Sequence, residues 1–322
     1  MTGGRRRWPA GADARNDKQN MKTIISNNIA WIDISGPKEK DLENLKEKFK
    51  LHPFIVRQFL PSIQRPKIEE YPNQLFMVLH FPVFDSKKRE TKPIELDFIV
   101  FPQTFITSHQ GDIPSLEIFF EDCRIQEHHK SQYFKTSGHL LFGLLDFMID
   151  ACLPMLDHVA EKIDKIESQV FKGKEKEMLN EISLVKKDLI DFRRAIKPQR
   201  SVLEILEKKS PRIFSRETRH LAQEVIGSNI RVWNVLENLR ELIISIEQTN
   251  NSLLSYKLSD IMKILTVISF ITFPLSVIVG FFGMNLEQIP LIRHPLAWLF
   301  IILFMIFTAG IMLIYFKKKK WL

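Results

Sequence analysis

The sequence predicts a cytoplasmic α+β domain that is followed by long helices and a two-helix transmembrane hairpin. Three observations predict this fold: strand and helix patterns alternate up to about residue 135, long helical patterns follow, and two apolar runs without charges lie in the last 60 residues. The chain has 322 residues, of which 45% are hydrophobic, so it can bury a core and is neither a disordered chain nor a low-complexity fibre.

The first region, residues 21–135, mixes strand and helix signals. The β-branched and aromatic content typical of strands is found in three segments, 21–34, 75–84 and 95–109. A helix is predicted at 37–51, where apolar residues recur near helical spacing. Pro82 and Pro102 predict edges or bends in the later strands, and the mixture of elements indicates an α/β or α+β domain.

The charge and the cysteines exclude several classes of protein. Of the net charge of +8, residues 1–20 carry +3 and the last four lysines carry +4, which leaves +1 for residues 21–316. A folded basic face for nucleic acid is therefore not expected. No Walker A sequence, phosphate-binding glycine loop or paired catalytic residues occur, so we expect neither a nucleotide partner nor an enzyme. Cys123 and Cys152 form no C-x-x-C pair and are predicted to be buried free thiols.

Residues 1–20 are predicted to be a disordered extension, because they are rich in Gly, Arg, Ala and Asp and lack the apolar core of a signal peptide.

Beyond the first domain, residues 136–261 are predicted to form long helices. The first covers 137–171, the second covers 176–208 and can kink at Pro198, and the third begins near Ser215. If the last of these continues to Phe282, it is roughly 100 Å long.

This last helix carries a coiled-coil-like seam. Apolar residues recur every seven positions at Val225, Val232, Leu239, Ile246 and Leu253. The companion positions, four residues further along, are Asn229, Leu236, Ile243 and Asn250. The pattern is typical of a helical seam with two polar interruptions.

Two apolar runs predict membrane spans. The runs Ile264–Phe282 and Pro295–Phe316 contain no charge and reach roughly 28 and 33 Å as helices, which matches a hydrocarbon core of about 30 Å. We therefore assign spans to 262–282 and 295–316, with a loop at 283–294 that is too short for another crossing. The alternative interpretation is a pair of buried core helices.

The flanking residues set the predicted orientation. Both chain ends are expected to be cytoplasmic, because lysines precede the first span and form the tail at 317–322, whereas the loop is poor in lysine and arginine. Trp298 and Trp321 have the positions of interface anchors. The tail lysines, which set topology and attract anionic lipid, are Lys317, Lys318, Lys319 and Lys320.

One stripe of the first span is small or hydroxylated. At alternating spacings of three and four it contains Ser259, Met262, Thr266, Ser269, Phe273, Ser276 and Gly280. Tight helix packing and a pore lining with apolar constrictions both explain the stripe, and the periodicity leaves the two interpretations open. A pore would require an oligomer, because one such helix encloses nothing.

Directly after this span comes Gly283-Met284-Asn285, which opens the loop before the second span, and the chain ends on an aromatic pair, four lysines and Trp321-Leu322. In these features the sequence resembles the CorA family of magnesium channels. The resemblance implies a funnel-shaped homopentamer in the plasma (inner) membrane of the cell. It implies a passive, potential-driven channel for hydrated Mg²⁺, with Co²⁺ and Ni²⁺ as further ions, that cytoplasmic Mg²⁺ closes. Mg²⁺ would be the transported and regulatory ion, with no other cofactor.

The resemblance also implies roles for particular residues. Asn285 would form a ring at the extracytoplasmic mouth, and Gly280 and Gly283 would let backbone approach the ion path. The positions that match pore-facing residues are Met262, Leu265, Phe273 and Ser276. Family members often have methionine where Phe273 stands. The mouth loop has lost one acidic residue of the family and keeps Glu287.

For regulation, the resemblance implies that Glu224 binds Mg²⁺ between subunits, with Asp85 or Asp97 of the first domain as its partner. The alternative that Glu224 is a solvated helix charge stays open, as does an electrostatic role for the tail lysines near the pore. Expected partners are further copies of the chain, divalent cations and membrane lipid. Rival functions are transport of another divalent ion such as Zn²⁺ and a non-conducting membrane-tethered sensor or scaffold.

Overall fold

The structure is a computed structural model that describes residues 20–59, 65–85, 90–215, 217–284 and 296–321. The predicted disordered extension lies outside the described residues except for Asn20. The chain divides into two compact units, of which the first contains Met1–Ser168 and Asn180–Ile244 and the second contains Gln169–Leu179 and Ser245–Leu322.

The described part of the first unit contains a six-stranded mixed sheet in the order β1-β2-β6-β5-β4-β3. The strands are β1 Met21–Ser26, β2 Ile29–Ser35, β3 Lys67–Tyr71, β4 Gln74–Asp85, β5 Glu90–Val100 and β6 Thr104–His109. β2 and β6 run parallel, and the other neighbours run antiparallel. The predicted strand at 21–34 is a hairpin, because Asn27 and Asn28 take positive φ angles of 45° and 61° in a two-residue turn.

The prolines explain two further features of the sheet. The segment predicted at 95–109 holds parts of β5 and β6, and Pro102 lies in the turn between them, as the prediction of a bend required. Pro82 lies in β4 opposite Pro93 of β5, beyond the residues of β4 that pair with β3. Among the described residues no strand pairs with β4 on that side of Pro82, so the N–H that proline lacks is not needed by a described neighbouring strand.

Helices cover both faces of the sheet. The helices are α1 Glu39–Phe49, α2 Pro53–Gln58, α3 Pro114–Ile125, α4 Glu127–Tyr133, α5 Ser137–Asp150, α6 Cys152–Phe171, α7 Glu175–Ile213, α8 Thr218–Phe282 and α9 Ala297–Lys318. On one face Leu45 of α1 and Ile55 of α2 pack with the sheet residues Phe76 and Ile106 in one buried cluster. On the other face Trp31 contacts aromatic rings of β6 and α3, at Phe105, Phe119 and Phe120. The predicted α+β fold is thereby confirmed.

The long helices differ from the prediction in detail. The predicted helix at 137–171 is interrupted at Ala151, where α5 ends and α6 follows at once. α7 continues as one helix through Pro198 and on to Ile213. α8 is a single helix of 65 residues that ends at Phe282, as predicted.

The seam of α8 is buried over most of its length, including both of its asparagines. Asn229 Nδ2 donates to Gln199 Oε1 at 2.9 Å, and Gln199 Nε2 donates to the carbonyl oxygen of His80 at 2.7 Å. Asn250 is fully buried, yet among the described residues neither its amide nitrogen nor its amide oxygen has a hydrogen-bond partner. The two polar interruptions of the seam therefore have opposite hydrogen-bonding states.

Among the described residues, three helices are long and apolar enough to cross a membrane, at Ser137–Phe171, Thr218–Phe282 and Trp298–Lys318. In the first of them half of the most apolar window is buried inside the protein, whereas in the other two the share is 6%. Ser137–Phe171 therefore supplies core residues to the protein, and the other two helices hold the predicted spans.

Candidate functional site

The first span leaves its small and hydroxylated stripe exposed. Met262, Leu265 and Phe273 are 53%, 55% and 72% exposed, and the stripe residues Ser259, Ser269, Ser276 and Gly280 are also exposed, with Thr266 half-buried. α9 packs mainly against other positions of α8: Val267 is buried, and the rings of Phe270 and Phe316 lie 6.2 Å apart. Thr266 is an exception in the stripe, because it lines a cavity together with α9 residues such as Tyr315 and Phe316. The exposed residues of the stripe are left for other contacts.

The hydroxyl groups of the stripe point their hydrogens back to their own helix. Thr266 Oγ1 donates to the carbonyl oxygen of Met262 at 2.7 Å, Ser269 Oγ to that of Leu265 at 2.9 Å, and Ser276 Oγ to that of Thr272 at 3.0 Å. A hydroxyl that donates in this way keeps its oxygen lone pairs as acceptors. The stripe therefore offers acceptor oxygens, which suit water molecules whose hydrogens point outward from a cation.

The glycine-methionine pair follows the end of α8. The N–H of Gly283 donates to the carbonyl oxygen of Val279 at 2.8 Å, and a Cβ atom at Gly283 would stand 3.0 Å from the same oxygen. The close backbone approach explains glycine at 283, whereas a Cβ at Gly280 would meet nothing within 4 Å. Asn285 and Glu287, which were predicted at the mouth, lie outside the described residues.

A separate acidic cavity of about 250 Å³ lies in the first unit, between α5 and α8. Its lining includes the carboxylates of Asp146 and Asp150 on α5 and of Glu224 on α8. Ser228 Oγ donates to Asp146 Oδ1 at 2.9 Å, and Asp150 Oδ1 is buried without a hydrogen-bond partner among the described residues. The side chain of Glu224 is 57% exposed and lies 3.3 Å from His220 Nδ1.

The electrostatics of this cavity are repulsive. Burial raises the pKa of Asp146 above its usual range, and the nearby charges of Asp150 and Glu224 raise it further. The hydrogen bond from Ser228 and the charge of Arg231 oppose this rise without cancelling it. In the described part of the chain, no group of three or more His, Cys, Asp or Glu side chains is arranged closely enough to hold a metal ion. The cavity is therefore a negatively charged recess rather than a completed metal site.

The two partners predicted for Glu224, Asp85 and Asp97, lie in strands of the sheet and not at the cavity. Asp97 is 5% exposed in β5, where burial and the charge of Glu95 raise its pKa well above the usual value. Asp85 ends β4 opposite Glu90. Neither lines the cavity of Glu224, and the structure instead brings Asp146 and Asp150 to it.

Sequence reasoning missed these two aspartates. A signal was present, because Asp146 and Asp150 are two acids four residues apart in an otherwise apolar helix, and such a pair shares one helix face. Their proximity to Glu224 depends on how α5 packs against α8, which the sequence pattern does not contain.

The basic tail follows the second span in the second unit. Lys317 and Lys318 end α9, and Trp321 stacks on Phe316 with ring centroids 5.8 Å apart. Lys319 Nζ stands 5.6 Å from the ring centroid of Tyr315 and 5.9 Å from that of Trp321. Aromatic rings and exposed lysines are thus interleaved at this end of α9, the composition found at membrane interfaces.

Comparison with known proteins gives consistent results. The sequence model of a family described as "CorA-like Mg2+ transporter protein" matches residues 26–318. A cobalt/magnesium transport protein CorA of Thermotoga maritima is 30% identical over 302 residues, which cover 92% of this chain and 84% of that protein. A zinc transport protein ZntB of Photorhabdus laumondii is 24% identical over 263 residues, which cover 80% of this chain and 77% of that protein. The structure of the CorA magnesium transporter from Methanocaldococcus jannaschii matches with a TM-score of 0.81 at 22% identity, covering 92% of each chain.

Proposed function

The chain belongs to the CorA-like Mg²⁺ transporter family of divalent cation transporters, and from this premise we propose that it is a passive channel for hydrated Mg²⁺. The conducting form is a homopentamer in which the stripe of α8 lines the pore and α9 surrounds it. The observation that carries this proposal is the stripe of α8, which apart from Thr266 is exposed and which precedes Gly283-Met284-Asn285 in the sequence.

The residue types suit an ion that keeps its water. Mg²⁺ loses its hydration shell reluctantly and prefers octahedral coordination. Acceptor oxygens of Thr266, Ser269 and Ser276 can hydrogen-bond that shell from outside, and a ring of Asn285 amides can do so at the mouth. Met262 and Phe273, the two bulky apolar residues of the stripe, would form apolar constrictions that close the pore by dewetting.

The driving force is the membrane potential. A divalent cation gains roughly 4.6 kcal/mol for each 100 mV of inside-negative potential, so conduction needs no nucleotide. The protein lies in the inner membrane of the cell, and the tail lysines favour an orientation with both chain ends in the cytoplasm. The same lysines attract anionic lipid on that side of the membrane.

Uptake into proteoliposomes tests this function. With an inside-negative potential and a magnesium dye, the wild-type protein is expected to take up Mg²⁺, and Asn285→Ala is expected to lose tenfold or more, equivalent to about 1.4 kcal/mol in the barrier. Asn251→Ala, at an exposed position of α8, is the matched control and should conduct normally.

The other outcomes distinguish the rival functions. Uptake of Zn²⁺ in place of Mg²⁺ would assign the chain to zinc transport, a function favoured by the similarity to the zinc transport protein. No flux of either ion, from protein that is folded and pentameric, would contradict the channel and favour the scaffold.

The regulatory proposal concerns the acidic cavity. Three carboxylates that repel each other gain from a divalent cation between them, so Mg²⁺ in the cytoplasm would favour the closed state in which Glu224, Asp146 and Asp150 approach it. Of the two partners predicted for this site, Asp85 of a neighbouring subunit would complete it, because Asp97 is buried inside its own sheet.

Glu224→Ala is accordingly expected to raise the Mg²⁺ concentration that closes the channel in patch recordings. Glu241→Ala, at an exposed acid of the same helix, serves as the control. An inhibition curve that is unchanged in Glu224→Ala would remove this residue from the proposed site.

A further inference from the structure

The turn between α6 and α7 exposes an aromatic ring among lysines. We name residues 171–176 the tip. Phe171 is 68% exposed, and the side chains of Lys172, Lys174 and Lys176 are exposed without an ion pair to any described residue. An exposed aromatic residue with flanking lysines is the composition of segments that lie at a membrane interface.

The tip has a fixed backbone. Gly173 has a φ of 87°, its N–H donates to the carbonyl oxygen of Val170, and the N–H of Lys174 donates to that of Gln169. These bonds form a Schellman motif, which ends α6 in a defined turn. Phe171 and the lysines are therefore held outward.

Lys257 of α8 contacts the tip within the second unit. Lys257 Nζ lies 2.5 Å from Glu175 Oε2 and 3.3 Å from the carbonyl oxygen of Gly173. The hydrogen bond from Lys257 lowers the pKa of Glu175 and offsets its charge. The exposed charge of the tip is consequently that of three lysines.

The position of Lys257 gives the height of the tip above the first span. Lys257 comes seven residues before Ile264, where the apolar run starts, which is about 10 Å along the helix. The headgroup layer extends roughly 5 to 8 Å beyond the hydrocarbon core. A lysine or phenylalanine side chain that extends from the tip toward the span would cover the remaining distance of about 2 to 5 Å.

We propose that the tip is a lipid-docking surface, in which Phe171 enters the interface and the lysines contact anionic headgroups. Charge complementarity and proximity to the span both favour a bilayer as its occupant. The contact is additional to ion conduction and does not depend on it.

A fluorescence experiment on the full-length protein tests this contact. Glu177→Cys, at an exposed position beside the tip, is labelled with bimane in nanodiscs of phosphatidylcholine and phosphatidylglycerol that contain headgroup-nitroxide lipid. Cys123 and Cys152 are buried free thiols, as predicted, and burial raises the pKa of each to about 12, so they stay unlabelled. The control label is at Gln248→Cys, an exposed position on α8 sixteen residues before Ile264 and therefore about 24 Å along the helix.

The nitroxide lipid is expected to quench the label at 177 strongly and the label at 248 weakly. Adding Lys172→Glu and Lys174→Glu, or omitting phosphatidylglycerol, should abolish the strong quenching. Equal quenching at 177 and 248 would overturn the docking contact, and quenching insensitive to both changes would overturn its electrostatic basis. Neither readout involves ion flux, so a failure here is distinct from a failure of the proposed channel.

Discussion

The sheet domain and the two spans use the same apolar residue types in opposite ways. In the sheet, Trp31, Phe76 and Phe98 are less than 2% exposed, whereas Phe273 of α8 is 72% exposed and Phe307 of α9 is 64% exposed. The sheet domain completes its interior within one chain. The spans leave apolar surface that lipid or other copies of the chain must cover. The contacts of the sheet domain are therefore made within one chain, whereas those of the spans are made only partly within it.

The largest expected effect of this difference is on folding stability. Phe98→Ala is expected to lower the free energy of unfolding by about 3–5 kcal/mol, because it opens a cavity in a filled core. Phe273→Ala is expected to change it by less than about 1 kcal/mol and to alter Mg²⁺ flux instead. Chemical unfolding of the detergent-solubilised protein, together with proteoliposome uptake, measures both.

Equal losses of stability in Phe98→Ala and Phe273→Ala would contradict the contrast between the filled sheet core and the exposed spans. Phe273 would then occupy an interior that forms only in the assembled oligomer, and its role as a constriction would have to be separated from a packing role by a Phe273→Leu variant.

The same contrast explains how far the sequence could predict the structure. The spans were predictable because lipid demands uncharged runs of a certain length, and α8 does end at Phe282 as expected. The β1–β2 turn was missed although Asn27-Asn28 is a pair that tolerates positive φ. The break at Ala151 was missed although Pro154 follows it, because proline has no N–H for the carbonyl of Asp150 and its ring clashes with that carbonyl in a continuous helix. Asp146 and Asp150 reach Glu224 only through tertiary packing, which no local pattern encodes.

A smaller effect is expected at the two asparagines of the α8 seam. Asn229→Leu should destabilise the protein by about 1–3 kcal/mol, because Gln199 Oε1 loses its donor while buried. Asn250→Leu should be neutral or stabilising, since among the described residues its amide gives up no hydrogen bond. Equilibrium unfolding of both variants against wild type measures the difference.

The two variants make a matched test of the two regions, because the same substitution, asparagine to leucine, is made twice on one helix. If Asn250→Leu instead costs as much as Asn229→Leu, the amide of Asn250 has a partner in the assembled oligomer, and the second unit is incomplete in polar contacts as well as in apolar ones.

The smallest expected effect is a pH dependence confined to the sheet domain. His109 Nε2 lies 3.6 Å from Asp33 Oδ2, and Thr107 Oγ1 donates to Asp33 Oδ1 at 2.6 Å. Burial alone would lower the pKa of His109, but the hydrogen bond and charge of Asp33, with smaller contributions from Gly111 and Asp112, raise it above 6.5. This stabilisation is fully present below pH 6.5 and is lost as pH rises through the raised pKa.

The melting temperature of the solubilised protein should therefore fall by a few °C between pH 6 and pH 9, and Asp33→Asn should remove that part of the slope. The apolar run at 264–282 cannot contribute, because it contains no ionisable side chain. Equal slopes in wild type and Asp33→Asn would assign the pH dependence to other groups. A slope that is lost in Asp33→Asn would show that the pH dependence comes from the buried Asp33–His109 pair of the sheet domain.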